Sequence, residues 1–122
     1  MQIMVAELLR LNSYPTVSWF HPENEGKRSP REGARAKAKG MRPGVADLII
    51  LCRGKAIAIE LKPEKGGRHE PTQKAFQADW EAAGGDYYLC KGYEETVEKL
   101  EWLRIIKPVK GSSRFEPRRE LA

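Results

Sequence analysis

An α/β fold, with a mixed central sheet flanked by helices, is predicted for this chain from three observations. Two apolar runs, Val45 to Cys52 and Lys55 to Lys62, flank Arg53-Gly54 and read as strands joined by a tight turn. Around that hairpin the order is helix, strand, basic segment, strand, strand, helix, strand, helix. The chain has 122 residues, 40% of them hydrophobic, which suits one domain with one modest core. The domain is placed at residues 1–107. Residues 108–122 lack apolar periodicity and carry Arg114, Arg118 and Arg119, so they read as a basic C-terminal tail that touches nucleic acid or docks on another subunit.

Gln2 to Asn12 is predicted as the first helix, with Ile3, Met4, Leu8 and Leu11 on its core side and Glu7 inside the same stripe. An acid on the core side of a helix makes Glu7 a candidate site residue. Asn12-Ser13-Tyr14-Pro15 ends the helix, and the β-branched and aromatic run Thr16 to His21 reads as a short strand. The polar loop after it holds His21, Asn24 and Glu25, placed to reach a phosphate or to support the ligands of a metal or, equally, to serve as a solvated turn. Lys27 to Arg42 is the most basic stretch: Lys27, Arg28, Arg31, Arg35, Lys37, Lys39 and Arg42 against Glu32 alone. Glu32 to Lys39 within it is predicted helical, ending at Gly40. Such density suits phosphate neutralisation, and its lack of aromatics gives no sign of base stacking.

The hairpin carries the chemistry. Side chains alternate along a strand, so Glu60 and Lys62 share a face with Leu61 opposite. Antiparallel pairing brings Asp47, near the start of the first strand, beside the end of the second. Two acids and a lysine then meet at one edge of an apolar hairpin, where buried charge is costly unless a metal or a partner offsets it. Asp47 and Glu60 offer hard anionic oxygens of the kind Mg²⁺ or Mn²⁺ takes. Lys62 stands on the same side, to orient or deprotonate a water and to offset charge on a phosphoryl group. The bland alternative is a salt bridge at a sheet edge.

Pro71 suits the first turn of a helix running to about Ala83, with Gln73, Phe76, Gln77 and Trp80 on one face. Phe76 and Trp80 should pack on the sheet and hold Gln73 at the edge that carries the charges. Gly84-Gly85 ends that helix. Asp86 to Cys90 reads as a strand, and Tyr93 to Ile106 as an amphipathic helix.

Gly44-Val45-Ala46-Asp47-Leu48, Glu60-Leu61-Lys62 and Pro71-Thr72-Gln73, in that order and spacing, resemble the PD-(D/E)XK nuclease superfamily. Within it they resemble the virus-type replication-repair nuclease domain, VRR-NUC, over most of the 1–107 domain. Ala46 stands where that family usually has proline, a residue that shapes the backbone and supplies no ligand. The resemblance implies a restriction-endonuclease-like core and Mg²⁺- or Mn²⁺-dependent hydrolysis of phosphodiester bonds in DNA. It implies Asp47, Glu60 and the Leu61 main-chain carbonyl as metal ligands, with Lys62, Gln73 and Glu7 completing the catalytic group. It further implies structure-selective cleavage by a homodimer acting on branched DNA, such as a Holliday-junction resolvase in phage or bacterial replication and repair.

Composition agrees. The 22 lysines and arginines outnumber 17 acids, and a pI near 9.3 favours an anionic partner. Cys52 and Cys90 lie in apolar runs without a CxxC or a Cys/His neighbour, so they are expected as buried thiols in a reducing compartment. With no signal peptide and no apolar run near the ~20 residues of a membrane span, a cytoplasmic protein is expected. Two rival functions remain at this level: a non-catalytic nucleic-acid-binding module on the same fold, and a restriction-type endonuclease, which would need more chain for base reading.

Overall fold

The computed structural model describes residues 1–22 and 29–109. The loop residues Asn24 and Glu25, the cations Lys27 and Arg28, and all but the first two residues of the basic tail lie outside the described residues. The elements are α1 (Gln2–Asn12), β1 (Val17–Phe20), α2 (Pro30–Ala38), β2 (Leu48–Cys52), β3 (Lys55–Lys62), α3 (Pro71–Ala82), β4 (Asp86–Lys91) and α4 (Tyr93–Trp102). The sheet order is β1-β2-β3-β4. β1 and β3 each pair antiparallel with β2, and β4 joins β3 in parallel, so the sheet is mixed as the sequence predicts.

Alternation sorts the strands between two layers. Leu48, Ile50, Ile57, Ile59, Leu61 and Cys90 face α1 and α4 and build the larger core with Val5, Leu9, Val97 and Leu100. Ala58 and Tyr87 point the other way, against Phe76 of α3, with Ile49 and Trp80 at the margin. Glu60 and Lys62 belong to this second face by the same alternation. Cys52 and Cys90 are both buried free thiols, as expected.

The β2–β3 turn needs two positive-φ residues, the geometry that matches strand twist in a two-residue hairpin. Gly54 takes φ 83 without cost, and Arg53 takes φ 48. Arg53 is held there by its own guanidinium, which donates to Thr16 Oγ1 at 3.0 Å and to the Arg104 carbonyl at 2.6 Å.

Three expectations are corrected. First, α1 turns a different side inward. Val5, Leu8 and Leu9 are buried, whereas Ile3 is 80% and Leu11 74% exposed, and Glu7 is exposed with them. The helix is apolar on most sides, so periodicity alone does not choose between stripes. Glu7 and Arg10, three residues apart, define the side that must stay wet, and Ile3 and Leu11 share it. Second, α4 ends at Trp102, four residues before Ile106. Arg104 adopts φ 59, its N–H donates to the Glu101 carbonyl, and the Ile105 N–H reaches back to the Leu100 carbonyl at 2.9 Å. That pattern closes a helix and folds Ile105 and Ile106 into the core. Third, β2 begins at Leu48, three residues later than Val45.

The late start follows from Gly44. At φ +82 it passes so close to α3 that a Cβ there would collide with the main chain of Thr72. The segment from Gly44 to Asp47 is thereby pressed against the first turn of α3 before the ladder begins. Gly44→Ala should therefore destabilise the fold by on the order of 3 kcal/mol in urea denaturation. Gly33→Ala, whose Cβ would meet nothing within 4 Å, is the control and should be neutral or mildly stabilising.

Candidate active site

The β2–β3 ladder stops at the pair Leu48↔Ile59. Beyond it the main chains are not paired with each other, and a side chain takes over: Leu61 N–H donates to Asp47 Oδ2 at 2.8 Å. One Asp47 oxygen is thus fixed beside the Glu60–Leu61 main chain, as the hairpin register requires.

Glu60 is buried, at 4% exposed, on the α3 face of β3. Lys62, two residues on, places its Nζ 3.5 Å from Glu60 Oε2. Gln73 joins the two. Its Oε1 accepts from Lys62 Nζ at 2.8 Å and from Glu70 N–H at 2.8 Å, and its Nε2 donates to Glu60 Oε2 at 2.9 Å. Two donors on one side and a carboxylate on the other leave only one orientation for the amide. Local sequence explains why Gln73 is so well held. Pro71 opens α3, and Glu70 and Gln73 cap each other reciprocally across the first turn. Below it Phe76 stacks on Trp80 at 5.5 Å, and Trp80 Nε1–H donates to the Asp86 carbonyl, seating α3 on the sheet.

The cluster carries unbalanced charge. Burial, and then the negative charge of Asp47, push the Glu60 carboxyl up to about 7, against the opposing pull of Lys62. Glu60 Oε1 is buried with no hydrogen-bond partner among the described residues. Tyr87 lies beside the same carboxylates; burial and then Glu60 raise its phenol. His69 Nε2 stands 3.1 Å from the Tyr87 hydroxyl and ties the loop before α3 to β4.

A cleft of about 320 Å³ opens onto this edge, lined among others by His21, Gly44, Asp47, Glu70 and Gln73. Larger cavities, of about 410 and 370 Å³, lie at the other end of the sheet near Lys55 and Asp86, away from the charged cluster.

Of the sequence-selected residues, the structure brings Asp47, Glu60, Leu61, Lys62 and Gln73 together. Glu7 is on the exposed side of α1 rather than its core side. Arg31, Arg35, Lys37 and Lys39 are exposed on or just after α2. Arg42 is tied to α3 by an ion pair with Asp79 at 2.7 Å and lies over the Phe76 ring. Two contacts were not drawn from the sequence: His69 with Tyr87, and His21 with the main chain of Asp47 at 2.6 Å. Each joins a loop histidine to a distant element, and no spacing rule signals such a pairing.

Sheet order and flanking helices define an α/β domain with a mixed four-stranded sheet. No family model matches the chain, and no curated protein does. Among solved structures the chain is similar to a "VRR_NUC domain protein", with a TM-score of 0.66, 21% sequence identity and 93% of each chain covered. At that identity the likeness establishes the fold: this is the VRR-NUC fold, as the sequence resemblance implies.

The raised Glu60 carboxyl sets the pH behaviour of the metal-free protein. Folded, the group keeps its proton up to about pH 7; unfolded, it releases it near 4.5. The folded state binds the proton more tightly, so stability falls as pH rises from about 4.5 to about 7 and then levels. Glu60→Gln should abolish that decline and exceed wild type by on the order of 2–3 kcal/mol above pH 7, read by urea denaturation with chelator present. A wild-type stability that rises across this window would contradict the assignment.

Proposed function

We propose that this chain is a Mg²⁺- or Mn²⁺-dependent DNA endonuclease that hydrolyses phosphodiester bonds. The observation that carries the reading is Glu60: a buried carboxylate beside a second acid, with Oε1 making no hydrogen bond of standard geometry among the described residues. A protein stabilised by its core alone gains nothing from such a group. The donor set fits a hard divalent cation, held by Asp47, Glu60 and the Leu61 main-chain carbonyl. Two carboxylates and one carbonyl would leave the ion several waters, as Mg²⁺ usually keeps; among the described residues no group of three His, Cys, Asp or Glu side chains converges. Bound there, the ion would supply Lewis acidity and lower the pKa of a coordinated water.

The remaining roles belong to the chain itself. Gln73 holds Glu60 and Lys62 in register through its single allowed orientation. Lys62 holds a positive charge beside Glu60, where it orients the attacking water and offsets charge gathering on the phosphoryl oxygens. Arg31, Arg35, Lys37 and Lys39, close in sequence to the cleft residues Pro43 and Gly44, supply backbone-neutralising cations. Glu7 is given no role in the chemistry.

The reading extends to a homodimer acting on branched DNA, four-way junctions included. Its support is the VRR-NUC fold and the exposed apolar side of α1, with Ile3, Met4 and Leu11 facing solvent. A two-fold dimer would set two sites against the two-fold symmetry of a junction.

Asp47→Ala and Lys62→Ala should each lower cleavage of labelled junction, flap and duplex DNA at least a hundredfold (on the order of the loss expected for a metal ligand or charge-stabilising group). Cleavage that survives both substitutions would remove the proposal. Mn²⁺ affinity by calorimetry should rise with pH up to about 7 and level above it, because the Glu60 carboxyl must lose its proton to bind. Binding without cleavage on any substrate would favour the non-catalytic module instead. Replacing Arg31, Arg35, Lys37 and Lys39 together by alanine should weaken DNA binding uniformly across sequences and lower the salt slope by up to about 4.

A further inference from the structure

We infer that His21 is a positioning residue for the cation site: its ring N–H holds the Asp47 peptide, and so fixes where the Asp47 carboxylate stands. The inference rests on the proposed role of Asp47. His21 follows β1 directly, and its Nδ1 is 2.6 Å from the Asp47 main-chain carbonyl. A carbonyl only accepts, so Nδ1 carries the proton. The Gln2 amide of α1 is 2.5 Å from the same nitrogen. The amide atom placed there is Nε2, a donor; with Nδ1 donating to the carbonyl, this tautomer requires the Gln2 amide turned about its last bond so that its oxygen shares the Nδ1 proton.

The register shows why a side chain is needed. β1 and β2 pair through Phe20↔Ile49, and the pattern continued by two residues would set Pro22 opposite Asp47. Proline has no N–H, so the main chain of β1 has nothing to give there. The imidazole of the preceding residue supplies the missing donor. Asp47 is then held twice, by His21 at its carbonyl and by Leu61 N–H at its carboxylate. The contact joins α1, β1 and the approach to β2 at the wall of the cleft, which His21 itself lines. A hydrogen bond to a ligand-bearing peptide acts on the ion through the geometry of that ligand, and loss of such bonds costs roughly 10–100-fold in affinity or activity.

The test uses the full chain and three substitutions. Asparagine places an amide N–H near the position of Nδ1, whereas glutamine reaches toward Nε2. His21→Ala and His21→Gln should each weaken Mn²⁺ binding about tenfold by calorimetry and lower kcat with KM for duplex DNA unchanged. His21→Asn should restore both to within about threefold of wild type. In metal-free protein, ring ¹⁵N spectra at a pH where the imidazole is neutral should report Nδ1–H for His21. An Nε2–H ring, wild-type Mn²⁺ affinity in His21→Ala, or His21→Asn as impaired as His21→Ala would each overturn the inference. Asp47→Ala runs alongside: if it loses Mn²⁺ binding while His21→Ala keeps it, only the role of His21 fails. If Asp47→Ala binds Mn²⁺ as wild type does, the cation site and this inference fail together.

Discussion

A carboxylate lies between two packed layers of this small domain, and the arrangement around it follows from having to keep it there. Glu60 is on the α3 face of a central strand, where Ala58 and Tyr87 make apolar contacts with Phe76. Taking a charge out of water costs several kcal/mol unless neighbours offset it. Lys62 and Gln73 offset part of that cost at one oxygen, and the other has no hydrogen-bond partner among the described residues. Asp47 worsens the balance by adding a second negative charge nearby. A sequence under selection for stability alone would replace such a group. The proposed divalent cation is what would offset it.

The fold holds this cluster through a few unyielding contacts. The hairpin turn sets the register, so Asp47 and Leu61 meet where the ladder ends. Gly44 allows the approach to β2 to lie against α3 with no side chain between. Glu70 and Gln73 cap α3 and in doing so aim the Gln73 amide at Glu60. Arg42 bridges from the end of the basic segment to Asp79, so the cations of α2 are tethered to the same helix that carries Gln73. The cleft lies where the approach to β2, from Pro43 to Asp47, meets the first turn of α3.

Much of this was legible in the sequence because charge interrupts an otherwise apolar pattern at Asp47, Glu60 and Lys62. The strand period then decided which side chains meet. The succession of elements along the chain and the helix carrying Gln73 followed from composition and turn residues, while the role proposed for Gln73 came through resemblance to a family. α1 was misread because it is apolar on most sides, and only packing against β2, β3 and α4 selects Val5, Leu8 and Leu9. The early end of α4 was hidden because the left-handed residue there is Arg104 rather than glycine. His21 reads from sequence as a loop residue near a phosphate or metal, or as part of a solvated turn; that its partner is the Asp47 main-chain carbonyl is signalled by no spacing rule. Pro22 was the available clue, a missing donor opposite Asp47.

Sheet, cap and cleft serve a single claim: Asp47 and Glu60 stand together to hold a divalent ion over which a DNA backbone can pass. Anomalous diffraction from crystals soaked in Mn²⁺ addresses it most directly. The account requires one or more manganese peaks within coordination distance of both carboxylates, with Glu60 Oε1 among the ligands. Manganese bound elsewhere, with the Asp47–Glu60 edge empty at saturating concentration, would contradict it.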